Sequence, residues 1–406
     1  MDAGSIKPFR ALLYNKDKIE DISTCVCPPY DVITDRDIYT KKNAFNAIKI
    51  ELPVPNPPLD EYNAAKQTLD EWLRDKILIH DSKETIYIYE QSFEFNGSSL
   101  MRRGFVALNR LDRDRILIHE ATRAKAKKDR ERLITTLKTY TSFIFGLYED
   151  KENHIEDLLV NAERELVYDL TDDNAIENRF YRITSRDHLQ DICRMMEDKK
   201  IYIADGHHRL DVSYRLGLDY IPIYLTNMYG TGIVVWPYHR IIRFKRKRTL
   251  ADILDTLSNY MDIEKTAISG STSITGAVDV IASEKKPTYA IYSKDDTANI
   301  YIIKQKRPVI FKEGIHDVLK RLKVNILHSG ILNNILGIEE DEISFTQDPL
   351  SFIESIKNGS IDLMVFLPAT TVEEVKDIAD NSLYMPPKST FFYPKVLTGP
   401  IFYKYG

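Results

Sequence analysis

One stretch constrains the fold more than any other: Ile201-Tyr202-Ile203-Ala204-Asp205-Gly206-His207-His208-Arg209. Ile201, Tyr202 and Ile203 are apolar and β-prone. Asp205 and Gly206 break the run, and Leu210, Tyr214 and Leu218 then recur at helical spacing. The pattern predicts strand, tight loop, helix. Such a junction points unpaired backbone N–H groups at whatever lies above the strand end, and the helix dipole favours an anion there. Gly206 lets the backbone approach closely. Arg209 can fork onto phosphate oxygens, and His207 and His208 add donors. Asp205 is the odd member, because a carboxylate beside a phosphate needs a metal ion or a proton to transfer. The competing reading is that Asp205 caps the helix and the histidines are surface residues. Zinc is disfavoured, since adjacent histidines do not easily reach one ion and no cysteine pair lies near.

With 406 residues the chain is long enough for two or three domains and a sizeable core. A net charge of −5, with 29% charged residues, gives no bulk electrostatic case for nucleic-acid binding. Cys25, Cys27 and Cys193 fit a reducing cytoplasm, the expected location, and Cys25 and Cys27 read as strand residues. No run of eighteen apolar residues exists and the N-terminus has no long apolar core, so neither a membrane span nor a signal peptide is expected.

Further along the chain, Pro28 and Pro29 force an extended or turning backbone that presents Tyr30 and Asp31 at a site edge, or leaves Asp31 as a helix cap. Thr34 or Asp35 is placed to cap a short helix. Residues 43–52 read as a strand and 59–76 as a helix. Residues 86–95 and 102–111 read as strands joined by the turn Asn96-Gly97. His119 and Glu120 then end an apolar run, ahead of Arg123, Lys125, Lys127, Lys128, Arg130 and Arg132. A carboxylate amid that much positive charge stays ionised and can accept a proton from a substrate hydroxyl. Otherwise Glu120 only neutralises its neighbours, and the basic run is a solvated face.

Residues 142–148 read as a strand, and 149–200 as helices around 152–165, 172–178 and 185–198. His239 and Arg240 follow a strand ended by Pro237 and are candidate contacts for phosphate or an acidic substrate. Near the far end, Lys388, Ser389 and Thr390 sit between Pro387 and Pro394, and Lys395 follows. The Gly-rich lead of a phosphate loop is missing there, but Lys388 or Lys395 can be lent to a shared site. The basic run 243–248 marks the expected boundary between residues 1–245 and a C-terminal α+β domain, 246–406.

Strand, Asp-Gly-His-His-Arg, amphipathic helix, Gly217 and an apolar strand at 221–225 together resemble the ParB/sulfiredoxin-type nucleotide-binding fold, especially its free serine kinases. In those relatives a His-Glu pair precedes the loop, with a helix and a strand between. His119-Glu120, the helix near 129–140 and the strand 142–148 match that order. With Pro-Pro-Tyr30-Asp31, Pro237 to Arg240 and Lys388 to Lys395 added, residues 6–399 resemble the domain of unknown function 1015 family. Trp236, the basic run after Thr122 and an insertion at 150–198 depart from the pattern.

The resemblance implies an α/β fold of mixed α+β character. Its ParB/sulfiredoxin-like core would lie at about 105–150 and 199–245, with the C-terminal α+β domain appended. It also implies a nucleotide-dependent kinase acting on a small-molecule hydroxyl such as that of free serine, with ATP or ADP and Mg2+ as cofactors. Glu120 would be the base, and Asp205 would position the metal or the acceptor. Gly206, His207, His208 and Arg209, with His119, His239, Arg240 and Lys388, would hold the nucleotide. Tyr30 and Asp31 would face the substrate. The alternative is a ParB-like regulator that binds or slowly hydrolyses nucleotide without phosphorylating a small molecule. No helix-turn-helix follows the core, which counts against a DNA partner. Expected partners are therefore a nucleotide and a small molecule, with no membrane and no nucleic acid, and homodimer assembly is left open.

Overall fold

Strand pairing divides the chain differently from the basic run at 243–248. The computed structural model describes residues 4–121, 124–268 and 271–405. One unit comprises Met1–Val234 and Pro394–Gly406, the other Val235–Tyr393. The expected boundary at 245/246 is therefore corrected at both ends. His239–Ile242 pairs antiparallel with Leu363–Phe366 and Ile343–Thr346, which places it in the second unit. Ile401–Lys404 pairs with Leu12–Tyr14 and Thr139–Tyr140, which returns the C-terminal segment to the first.

The fold is mixed α/β. Among the described residues the first unit's main sheet has nine strands. Its path runs Ile116–Leu117, Ile201–Asp205, Ile144–Tyr148, Tyr220–Asn227, Ser98–Arg110, Tyr87–Phe95, Glu177–Ile183 and Arg164–Thr171, with Ile6–Lys7 on the edge of Ser98–Arg110. Ile201–Asp205 is flanked on both sides, parallel to Ile116–Leu117 and antiparallel to Ile144–Tyr148. That interior position is why its first four residues are all buried. Ile144, Ile201, Ile203, Ile223 and Leu225 form the centre of the core.

Three local expectations are corrected. Residues 43–52 hold a short helix, Ile48–Glu51, instead of a strand. Asn46 starts it: its Oδ1 accepts from Ile48 N–H, while its Nδ2 donates to the carbonyls of Thr24 and Val26. Residues 172–178 are a turn entering a strand, because Asp172 Oδ1 accepts from the N–H groups of Asn174 and Ile176. The hairpin Arg164–Thr171/Glu177–Ile183 then extends the main sheet beside Tyr87–Phe95. Cys25 closes a 3-10 turn, Ile22–Cys25, and Cys27 makes a single bridge to Thr398; neither stands within a strand.

The second unit contains an antiparallel six-stranded sheet. Its order is Met261–Ala267, Asp296–Gln305, Thr288–Ser293, Leu363–Phe366, His239–Ile242, Ile343–Thr346. Ile241, Ile281, Ala290, Met364 and Phe366 centre its core. The segment Ile326–Ile335 is a π-wound helix. No described helix is long and apolar enough to cross a membrane.

Candidate functional site

The site begins where the strand Ile201–Asp205 meets the helix His207–Arg215. Gly206 joins them at φ +91°, a left-handed conformation that disfavours side chains. A Cβ there would stand 3.1 Å from Ile144 Cα and 3.3 Å from Arg209 Nε. No side chain caps the helix, and its first internal bond runs from Leu210 N–H to Gly206 O at 3.0 Å. The positive end of the helix dipole is therefore not offset by a side-chain cap. Gly206→Ala is expected to cost about 1–3 kcal/mol in urea unfolding, from the strained φ and the contact with Ile144. Unchanged unfolding would mean that the loop relaxes without difficulty.

Asp205 does not cap the helix. Its Oδ1 accepts from Lys395 Nζ at 2.6 Å and its Oδ2 from Arg209 Nη2 at 3.3 Å. Burial by itself raises the Asp205 carboxyl, but Lys395 and Arg209 hold it well below the usual carboxylate range. Lys395 is delivered by a segment fixed elsewhere: Gln91 Nε2 donates to the Lys395 carbonyl at 3.1 Å, and Arg102 Nη2 to the Pro394 carbonyl.

A chain of alternating charges continues from Arg209, which is 5% exposed. Arg209 Nη1 donates to Ser142 Oγ, and Ser142 Oγ to Glu51 Oε1 at 3.4 Å. Glu51 also accepts from Thr141 Oγ1 and pairs with Arg130 at 3.4 Å. The Arg130 guanidinium lies 4.2 Å from the Tyr30 ring centroid. Burial pushes the Tyr30 phenol up to about 12, against the opposing charges of Arg130 and Arg209. Tyr30 thus joins the cluster, while Asp31 is exposed in the turn Tyr30–Val32.

His119 and Glu120 follow the parallel strand Ile116–Leu117, which pairs in register Ile201↔Ile116 and Tyr202↔Leu117. The His119 ring meets His207 edge to face, with centroids 4.9 Å apart. Burial pushes His119 down to about 3 and His207 down to about 4; Glu120 and Asp205 oppose this at His119, and Asp205 at His207. Both rings are neutral at neutral pH. His207 Nε2 and Arg209 Nε are buried with no hydrogen-bond partner among the described residues. Glu120 and His208 are half-buried.

Asp205 does not fit its expected part in holding Mg2+. Both of its oxygens face cations, which would repel a dication. No group of three His, Cys, Asp or Glu among the described residues can hold a metal ion.

His239, Arg240 and Lys388 belong to the second unit. Leu367 N–H donates to His239 Nδ1 at 3.4 Å. Arg240 Nη1 donates to the carbonyls of Tyr238 and Lys388, and Lys388 Nζ reaches Tyr238 Oη at 3.3 Å. In the basic run, Arg123 and the Lys125 side chain lie outside the described residues, and Lys127 pairs with Asp211 of the site helix at 2.9 Å.

Glu51, Arg130 and Ser142 are the residues that sequence reasoning missed. A signal existed for Arg130: it shares a buried helical face with Leu133, Ile134 and Leu137, unlike a solvated basic side chain.

A family model described as a protein of unknown function (DUF1015) matches residues 6–325. No curated protein matches the chain. Among solved structures, the chain is similar to a variant of free serine kinase in complex with ADP. That likeness has 13% identity and a TM-score of 0.38, covering 73% of this chain and 88% of that one. A conserved hypothetical protein from Pyrococcus furiosus has 13% identity and a TM-score of 0.36, with 72% and 92% covered. C-terminally truncated SbnI from Staphylococcus aureus has 10% identity and a TM-score of 0.36, with 72% and 85% covered.

Proposed function

The chain belongs to the DUF1015 family, and from that premise we propose that it is a nucleotide-dependent kinase for the hydroxyl of a small molecule. The observation that carries the reading is the uncapped start of the helix His207–Arg215, with buried Arg209 and His207 atoms left open beside it. The backbone after Gly206, with His207, His208 and Arg209, holds the phosphates. His119 supports His207 from behind. Asp205 stays ionised and positions Lys395 and Arg209, which carry the charge that develops on the transferring group.

The acceptor oxygen forms a bond to the terminal phosphorus while the bond from that phosphorus to its bridging oxygen breaks. The electron pair leaves on the nucleotide, ADP from ATP or AMP from ADP, and the acceptor proton passes to Glu120. Positioning and charge neutralisation supply most of what such a transfer needs. Tyr30 and Asp31 face the acceptor, and a free amino acid such as serine is the acceptor that this reading takes from the sequence resemblance. The free cysteines support the reducing cytoplasm as its setting.

Phosphorus NMR of the full chain with ATP, ADP or CTP and an amino-acid pool tests the reading. A new phosphomonoester is expected. Free phosphate alone would favour the regulatory alternative, and an unchanged spectrum would leave only a binder. Glu120→Gln is expected to lower turnover by about 100- to 10,000-fold, the usual range for a general base, with nucleotide affinity unchanged. Wild-type turnover in that variant would discard the base assignment.

A further inference from the structure

The second unit contains a buried cation that makes no ion pair with an acid among the described residues. Arg240 is 0% exposed. Its Nη1 is committed to the carbonyls of Tyr238 and Lys388, and Phe345 covers a face of the guanidinium, 4.7 Å from Cζ to the ring centroid. Nε and Nη2 are buried with no hydrogen-bond partner among the described residues. Those two nitrogens share one edge of the planar fork, the edge that takes two oxygens of a carboxylate or phosphate in parallel. A buried charge left in that state is costly, and proteins ordinarily pair it.

A second group points the same way. His328 is 2% exposed and stacks on the same Phe345 ring, with centroids 6.3 Å apart. Its Nε2 bonds Glu340 Oε1 at 2.9 Å, and its Nδ1 has no hydrogen-bond partner among the described residues. His328 sits in the π-wound segment Ile326–Ile335, a geometry that recurs at functional sites. The Glu340 side chain is 62% exposed and lines a cavity of about 550 Å³ with Phe311, Ser329 and Asn333. Burial also pushes Arg240 down to about 9, and the charge of Glu340 opposes this.

We propose that Arg240, which shares the Phe345 ring with His328, anchors a second anion site inside the second unit, one that takes a small oxyanion through two of its oxygens. The ligand is a carboxylate or a phosphate, and the site stands whether or not the kinase reading does.

Calorimetric titration of the full chain with inorganic phosphate, and separately with acetate, tests it at fixed ionic strength. The Arg209→Met background removes the first unit's candidate site. A saturable event is expected there, at least tenfold weaker once Arg240→Met is added and at least threefold weaker with His328→Gln. Response to phosphate alone or to acetate alone identifies the source. Arg240→Met is also expected to melt no lower than wild type in anion-free buffer. Three outcomes would overturn the proposal: no saturable event with either anion, an event that survives Arg240→Met, or an Arg240→Met chain that fails to fold.

Discussion

Arg209→Met is expected to weaken nucleotide binding by about 100-fold or more and to remove turnover with it. Hydrogen bonds to charged groups contribute about 1.5–3 kcal/mol each, so losing a fork on phosphate corresponds to roughly two powers of ten in affinity. The open Nε and the low exposure of Arg209 put it at the upper end, because little water competes there. The fold is expected to tolerate the change. Asp205 keeps Lys395 at 2.6 Å, and Ser142 keeps Glu51, so neither is stranded. Fluorescence titration with ATP and ADP, alongside a circular-dichroism melt, reads both quantities. An affinity within threefold of wild type, in a folded variant, would remove the phosphates from the start of this helix.

Glu51→Ala is expected to be the most destabilising single change near the site, by about 3–5 kcal/mol, the usual consequence of breaking a buried pair from one side. Glu51 and Arg130 each have only 2% of their side chains exposed. Without Glu51, Arg130 retains Asp129, whose side chain is 44% exposed, and Thr141 and Ser142 lose their acceptor. In a unit of this size each kcal/mol shifts the melting temperature by about 2–4 °C, so a drop of roughly 6–20 °C follows. Adding Arg130→Met is expected to restore part of it, because the unmatched cation then goes too. A melt within about 2 °C of wild type would show that solvent reaches the pair and screens it.

The strand, loop and helix around Gly206 were legible because the apolar period changes there and the glycine marks the change. The turn at Asn96-Gly97 was legible for the same local reason. His119 fell beside His207 because parallel pairing of Ile116–Leu117 with Ile201–Asp205 aligns their ends. Glu51 was not legible: the short helix that carries it depends on Asn46 side-chain bonds, which an apolar pattern does not encode. Lys395 and Lys388 stood as equals, since neighbouring prolines say nothing about which strand the segment will meet. The division between units escaped because antiparallel partners such as Ile343–Thr346 lie far from His239–Ile242 in the chain.

Lys395 follows Asp205 by 190 positions. During synthesis the earlier residues emerge first and begin to fold. The acid must therefore wait for its lysine until every residue between them has been made. A nascent or shortened chain can build the loop and the helix while the electrostatic balance above them is still unset. Arrival of Lys395 thus sets the charge around the loop only after the whole second unit, Val235–Tyr393, has been made.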